Sequence, residues 1–268
     1  MIKLIKFDIL KDGKKNALTL SYDDGRIQDH SLLEIMNRYE MKGTFHLNSG
    51  RLDDVNRISP NEIASLYENH EIACHGAMHH RLSVLPQQNI LQEIFDDRRE
   101  LERLSGRIIR GMSYAFGDYS DEIMDVLKTC GIVYSRTTKS TNQFTVPQNF
   151  LKWHPTCHHK DCIENGERFL ESLDKGAYPK LFCVWGHSYE FDRDDNWNLI
   201  EDFFKLIGGN EDIWYATNIE IYEYITAQRQ LLFSTDNKLV YNPTSVRVWF
   251  SNNENVYDVK PGETVLIE

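Results

Sequence analysis

The chain has no CxxC pair, no long apolar run and no excess of positive charge. Its five cysteines (Cys74, Cys130, Cys157, Cys162 and Cys183) are odd in number and scattered. They read as reduced, mostly buried thiols, and a cytoplasmic setting is expected. No stretch of about 18 apolar residues could span a membrane. The opening MIKLIKFDILKDGKKNALTL is broken by Asp8, Lys11, Asp12, Lys14 and Lys15, so it has no signal-peptide core, and no membrane partner is expected. Lys and Arg total 30 against 41 Asp and Glu, a formal charge of −11. Nucleic-acid affinity rests on clustered cations, so no nucleic-acid partner is expected either. The acidic balance mainly favours solubility. No internal repeat or low-complexity tract stands out.

What is there is an alternation. The 268 residues suffice for one large α/β domain with a small appendage. ALTLSY reads as a strand, SLLEIMNRYEM as a helix and GTFHLN as a strand. SPNEIASLYENH opens a helix with a capping box, Ser59 and Glu62, and Pro60 at the first helical position. EIACH is a strand, and a long helix through LPQQNILQEIFDDRRELERLSG stops at Gly106. RGMSYAFG, SDEIMDVLKTCG and IVYS follow, then helix NGERFLESLDKG, strand KLFCVWGH, helix NWNLIEDFFKLIGG, strand IWYATN and helix IEIYEYITAQRQ. Repeated strand–helix units predict a parallel sheet, open or closed into a barrel. From about residue 230 the texture changes to short alternating runs with turn pairs at Asp236-Asn237 and Pro261-Gly262. The expected division is a domain over 1–229 and a small antiparallel β appendage over 230–268.

In parallel α/β architectures, sites form at the C-terminal ends of strands. There the sequence places Asp23-Asp24, then His75 with His79 four residues on, the stretch Tyr114-Ala115-Phe116-Gly117, and His187. The two imidazoles at i, i+4 can face one ion, and two histidines with a carboxylate are a common protein ligand set for catalytic zinc. Zinc lowers the pKa of bound water to about 7. The second carboxylate then suits a general base, and a remaining histidine a general acid. Each of these features alone is ordinary: an Asp-Asp-Gly is usually a turn. Their joint placement on one rim is what points to chemistry. His154, His158 and His159 fall in a loop with no clear strand end and read as solvated or substrate-side residues. Trp153, Trp185 and Trp214 could stack on sugar rings; Trp185 and Trp214, inside strands, suit the core at least as well.

LTLSYDDG, GTFHLN, EIACHGAMHH, RGMSYAFG and VWGH occur in the order and approximate spacing of the polysaccharide deacetylase family, carbohydrate esterase family 4, also called the NodB-homology domain. The resemblance covers roughly residues 16–228. The family's T-[FY]-D-D motif is similar to LSYDDG, with Ser21 for Thr. Its H-[ST]-x-x-H resembles HGAMH, with Gly76 for Ser or Thr. The resemblance implies a distorted, incomplete (β/α) barrel, Asp23 as catalytic base, and Asp24, His75 and His79 as ligands of a divalent metal, Zn²⁺ foremost. It implies His187, in VWGH with Trp185 for the family's Leu, as the acid. The family's R-x-P-[YF]-G matches SYAFG only at Phe116-Gly117: the Arg position falls on Ser113, with Arg110 or Arg136 as candidate substitutes. Tyr114, Ala115, Phe116, Arg110 and Trp185 are the expected oxyanion and substrate-binding residues. The family's Asp-x-x-Asp-Trp segment is not evident. These departures suggest a divergent subfamily.

The implied activity is hydrolytic removal of acetyl groups, N- or O-linked, from an acetylated sugar or oligosaccharide. Two other readings stand beside it: hydrolysis of a non-sugar amide on the same scaffold, and a non-catalytic carbohydrate-binding or scaffold protein keeping a relic pocket. The β appendage is a candidate for homo-oligomer contacts.

Overall fold

The computed structural model describes residues 4–253 and 255–267. Residues 1–3, 254 and 268, which fall within the expected domains, lie outside the described residues. A short β1 (Ile5–Lys6) precedes β2 (Asn16–Asp23), which is buried along its whole length. Successive side chains of a strand point to opposite faces. Leu18, Leu20 and Tyr22 accordingly join the main apolar core. Thr19, Ser21 and Asp23 face the other way, into a polar interior: Thr19 Oγ1 donates to Asn218 Oδ1 (2.8 Å), and Asn218 Nδ2 donates to Ser21 Oγ (3.3 Å).

The alternation continues through α1 (Asp29–Arg38), β3 (Gly43–Leu47), α2 (Ile63–Leu66), β4 (Glu71–Cys74), α3 (Gln87–Ser105), β5 (Gly111–Ser113), α4 (Asp121–Thr129) and β6 (Tyr134–Arg136). Then come β7 (Cys157–His158), α5 (Cys162–Leu170), β8 (Lys180–His187), α6 (Tyr189–Arg193), α7 (Trp197–Ile207), β9 (Ile213–Tyr215) and α8 (Asn218–Arg229). The boundaries follow local chemistry. The Ser59/Glu62 capping box opens the turn that leads into α2. Gly106, at φ 69°, ends α3 in the left-handed conformation that glycine adopts without penalty.

The sheet runs in the order β6-β5-β4-β3-β2-β8-β7, all parallel, with β9 beside the first half of β2. The extended segment between residues 153 and 158 touches both edges. Trp153 N donates to Ser135 O (3.1 Å) and Thr137 N to Trp153 O (2.8 Å), while Cys157 and His158 pair with Val184 and Trp185 of β8. The result is the distorted, incomplete (β/α) barrel expected. The lower interior is apolar, with Ala17, Tyr134, Leu181, Cys183 and Trp214 in one cluster. Because every barrel strand is parallel, their C-terminal ends share one rim.

One expectation needs correcting. TCHHKD is not a strandless loop: Cys157–His158 is β7, its end lies on that rim, and His159 is buried. Trp153 is also core, packed on Tyr134 and Phe150.

The C-terminal region forms β10 (Leu232–Phe233), β11 (Leu239–Tyr241), β12 (Val248–Asn252), β13 (Asn255–Val259) and β14 (Thr264–Leu266). Together with β1 they make two three-stranded antiparallel sheets around Val240, Val248, Phe250 and Val259. The sheet of β12 and β13 also takes up β1, from the other end of the chain. Gln228 of α8 ties the two parts together, donating to Ile9 O (2.9 Å) and Trp249 O (3.0 Å). Among the described residues no helix is long and apolar enough to cross a membrane.

Candidate active site

β2 ends at Asp23, and the chain then leaves the strand through Asp24 at φ 86° and Gly25 at φ 61°. A side chain on Gly25 would meet Leu47 Cδ2 at 2.9 Å, so both conformation and space demand glycine. The left-handed backbone at Asp24 turns its carboxylate away from the direction of Asp23. Non-glycine residues in this region cost about 1–3 kcal/mol and cluster at functional sites. His79 (φ 60°) and Phe116 (φ 61°) on the same rim share it.

Asp24, His75 and His79 converge. Asp24 Oδ1 lies 3.8 Å from His75 Nε2 and 3.5 Å from His79 Nε2. That oxygen is buried and has no hydrogen-bond partner. His75 is held at both ends. Its N–H donates to Leu47 O (3.0 Å) and Asp97 Oδ2 (2.9 Å), and its Nδ1 is 2.9 Å from Ser113 O. A carbonyl can only accept, so Nδ1 carries the proton and Nε2 presents its lone pair toward Asp24. Burial holds the His75 ring neutral, and burial together with the His75 neighbour pushes the His79 pKa down to about 4. Arg57 fixes the backbone here by donating to Asp24 O and to Asn48 Oδ1 (3.2 Å).

Asp23 has a different shell. Its Oδ1 accepts from Ser113 Oγ (2.9 Å) and faces His46 Nδ1 (3.3 Å). The Arg136 guanidinium contacts both carboxylate oxygens. Arg136 is fully buried at the end of β6, donates through Nε to Ser21 Oγ (2.8 Å), and lies over the Trp185 ring, 4.8 Å from its centroid. Burial would raise the Asp23 pKa, but Arg136, His75 and His46 outweigh it and hold the carboxyl well below the usual range. Oδ2 is the oxygen that faces the Asp24–His75–His79 cluster, 4.0 Å from His75 Nε2.

His187 is the β8 neighbour of Asp23 in register. Its Nδ1 and its backbone N–H both reach Glu190 Oε2, at 3.3 and 3.1 Å. Burial favours the neutral ring; the Glu190 hydrogen bond and the Asp23 and Asp24 charges overcome this and raise its pKa. Glu190 also accepts from His158 Nε2 (2.9 Å), with His159 Nε2 at 3.5 Å.

The remaining expected residues divide. Trp185 lines the mouth beside Arg136 and His158. Phe116 is exposed, its ring edge on His79 and under Arg81. Ala115 is buried beside it. Tyr114 has no donor to give an oxyanion: its N–H goes to Arg136 O (2.9 Å) and its hydroxyl to Leu151 O (2.7 Å). Arg110 is not on the rim. It precedes β5, at the opposite end of the barrel, and pairs with Glu223 of α8. Sequence reasoning left Arg136 as one of two alternatives and missed Ser113 Oγ, His46, Arg57 and Glu190. Of these, only the Glu three residues after His187 left a local signal.

The profile of the polysaccharide deacetylase family matches residues 10–135, a stretch holding Asp23, Asp24, His75, His79 and Ser113. Over that stretch, somewhat under half of its length, the chain is similar to the polysaccharide deacetylases. No curated protein sequence matches it. Among solved structures it is similar to a protein provisionally designated a polysaccharide deacetylase from Mycobacterium smegmatis (TM-score 0.61, 16% identity, 84% of this chain and 96% of that one). It is also similar to the Xyl-CE4 domain of a multidomain xylanase from the hindgut metagenome of Trinervitermes trinervoides (TM-score 0.55, 15% identity, 80% and 92%). A third is a peptidoglycan deacetylase, PdaC, from Bacillus subtilis (TM-score 0.51, 16% identity, 81% and 94%). At these identities the likeness carries the deacetylase fold.

Proposed function

We propose that this chain is a metal-dependent hydrolase that removes acetyl groups, N- or O-linked, from an acetylated carbohydrate. The observation that carries the reading is the convergence of Asp24, His75 and His79 beside Asp23. The donor set fits a divalent ion: Asp24 Oδ1 is buried without a partner, and the Ser113 carbonyl leaves the His75 Nε2 lone pair available. Two imidazoles and a carboxylate suit Zn²⁺, the ion we infer. When bound, it would acidify water and polarise the acetyl carbonyl.

The chain's own residues supply the rest. Asp23 is the base, taking a proton through Oδ2 from the water that attacks the acetyl carbon; Oδ1 is already occupied by Ser113 and His46. Arg136 holds the Asp23 carboxylate in place. Ala115 and Phe116 are the backbone donors we assign to the oxyanion, since Tyr114 is committed elsewhere. His187 protonates the departing oxygen or nitrogen. Trp185 and Phe116 flank the entrance, where a sugar ring can lie against their faces.

The test is acetate release, followed by NMR, from acetylated glucosamine oligomers and acetylated xylo-oligomers. It uses zinc-loaded protein, a chelator control and Asp23→Asn. Release abolished by chelator and by Asp23→Asn supports the reading. No release from metal-loaded protein overturns it, and retained sugar binding would then favour a carbohydrate-binding role.

A further inference from the structure

His158, His159 and Glu190 form a second group of two histidines and a carboxylate, with candidate ligand atoms all within 4.8 Å of one another. By composition it matches the Asp24 set. The ring nitrogens separate the two. His158 Nδ1 accepts from the Lys160 N–H at 3.3 Å, so that nitrogen holds a lone pair. In the neutral ring the proton then sits on Nε2, which donates to Glu190 Oε2 at 2.9 Å. The nitrogen facing the carboxylate has no lone pair to offer a metal. His159 is stacked against Phe191 (ring centroids 4.3 Å apart) and Tyr22 (5.9 Å), and its Nδ1 has no partner. Burial keeps that ring neutral, with a pKa of about 3.

Glu190 Oε2 also holds His187 at two points, through the ring Nδ1 and through the backbone N–H. Arg193 stands 3.4 Å from Oε1. The carboxylate is therefore pinned from several sides and grips one residue by both ring and backbone.

We infer that Glu190, seated by His158, is a positioning residue that clamps the His187 ring with Nδ1–H toward the carboxylate and Nε2 toward the substrate, and that this cluster is not a second metal site. The inference rests on His187 being the acid. With Nδ1 committed, Nε2 is the nitrogen that delivers a proton. As the acetyl C–O or C–N bond breaks, its electron pair goes to the leaving atom, which takes the Nε2 proton. The attacking water gives its proton to Asp23 and its hydroxyl to the acetyl group. His187 regains a proton from solvent, and Asp23 returns one to it.

The test compares leaving groups in Glu190→Gln and in His158→Phe, which keeps a ring but deletes the N–H. On acetylated sugars kcat should fall about 10- to 100-fold with KM little changed, a fraction of what a full acid contributes. On 4-nitrophenyl acetate, whose phenolate departs unprotonated, the fall should be far smaller. Equal losses on both substrates would reduce Glu190 to a structural role and overturn the inference. Metal content should equal that of the unmutated protein, and a second equivalent lost in His158→Phe would also overturn it. Proton–nitrogen NMR of histidine-labelled protein reads the clamp without turnover. A downfield His187 Nδ1–H that moves in Glu190→Gln is expected, and its absence in the unmutated protein sinks the clamp even if acetate is released. Should the unmutated protein release no acetate yet show that proton, the proposed function fails and the clamp stands.

Discussion

Two clusters of two histidines and one carboxylate lie on the same rim, and their hydrogen bonds are arranged differently. In Asp24–His75–His79 the carboxylate oxygen between the rings is buried with no hydrogen on it. In His158–His159–Glu190 the corresponding oxygen accepts from His158 and twice from His187. The difference originates on the far side of each ring. A backbone carbonyl behind His75 directs its lone pair into the cluster; a backbone N–H behind His158 directs a proton there. Ligand lists by residue type cannot separate such sites. The partner of the second ring nitrogen can.

The largest effect that would sharpen this contrast is on metal content. His75→Ala should lose bound zinc by elemental analysis, whereas His158→Ala should retain it; the reverse pattern would exchange the two assignments. Next comes the base. Asp23→Asn should lower kcat by about 10²–10⁴-fold while leaving zinc in place, and activity near that of the unmutated protein would remove Asp23 from the chemistry. Arg136 follows. Arg136→Lys keeps the charge but cannot hold Ser21 Oγ, Thr137 O and the Asp23 carboxylate at once as the three guanidinium nitrogens do, so a kcat loss of about 10-fold is expected. Arg136→Ala leaves a buried carboxylate without its cation and should cost about 3–5 kcal/mol in urea unfolding. An undiminished stability would break the pairing.

The smallest effect concerns Asp29, at the start of α1. It is fully buried, and burial pushes its pKa up to about 7, against partial relief from Ser188 and Tyr67 hydrogen bonds. A carboxyl raised on folding contributes stability that is complete below its unfolded pKa near 4 and is lost as pH rises through 7. Unfolding measured from pH 4 to 8 should therefore show Asp29→Asn gaining on the unmutated protein as pH rises. Parallel curves would refute the shift.

Most of the barrel was legible because its signals are local. β2 and β8 are eight residues each, and α1, α3, α4 and α7 carry clear 3.6-residue spacing, with boundary signals at Ser59 and Gly106. β7 was not, since two residues are too few to show alternation. The position of His158 and His159 at a strand end on the rim is hidden with it. The site divides the same way. Asp23, Asp24, His75 and His79 sit in short contiguous motifs at strand ends. Arg136 lies 113 residues from Asp23, one strand beyond Ser113, and nothing in its neighbourhood marks it. Arg110, nearer the expected position in sequence, starts a strand instead of ending one and so emerges at the other end of the barrel.

By itself, the sequence determined which strands would carry carboxylates and imidazoles to one rim, because strand direction and alternation depend on neighbouring residues alone. Which arginine holds Asp23, whether Tyr114 can donate, and which of two matching clusters leaves its carboxylate oxygen without a hydrogen-bond donor were decided only by the tertiary structure. Those answers depend on where individual protons and lone pairs point, and that is fixed by backbone groups brought in from distant strands.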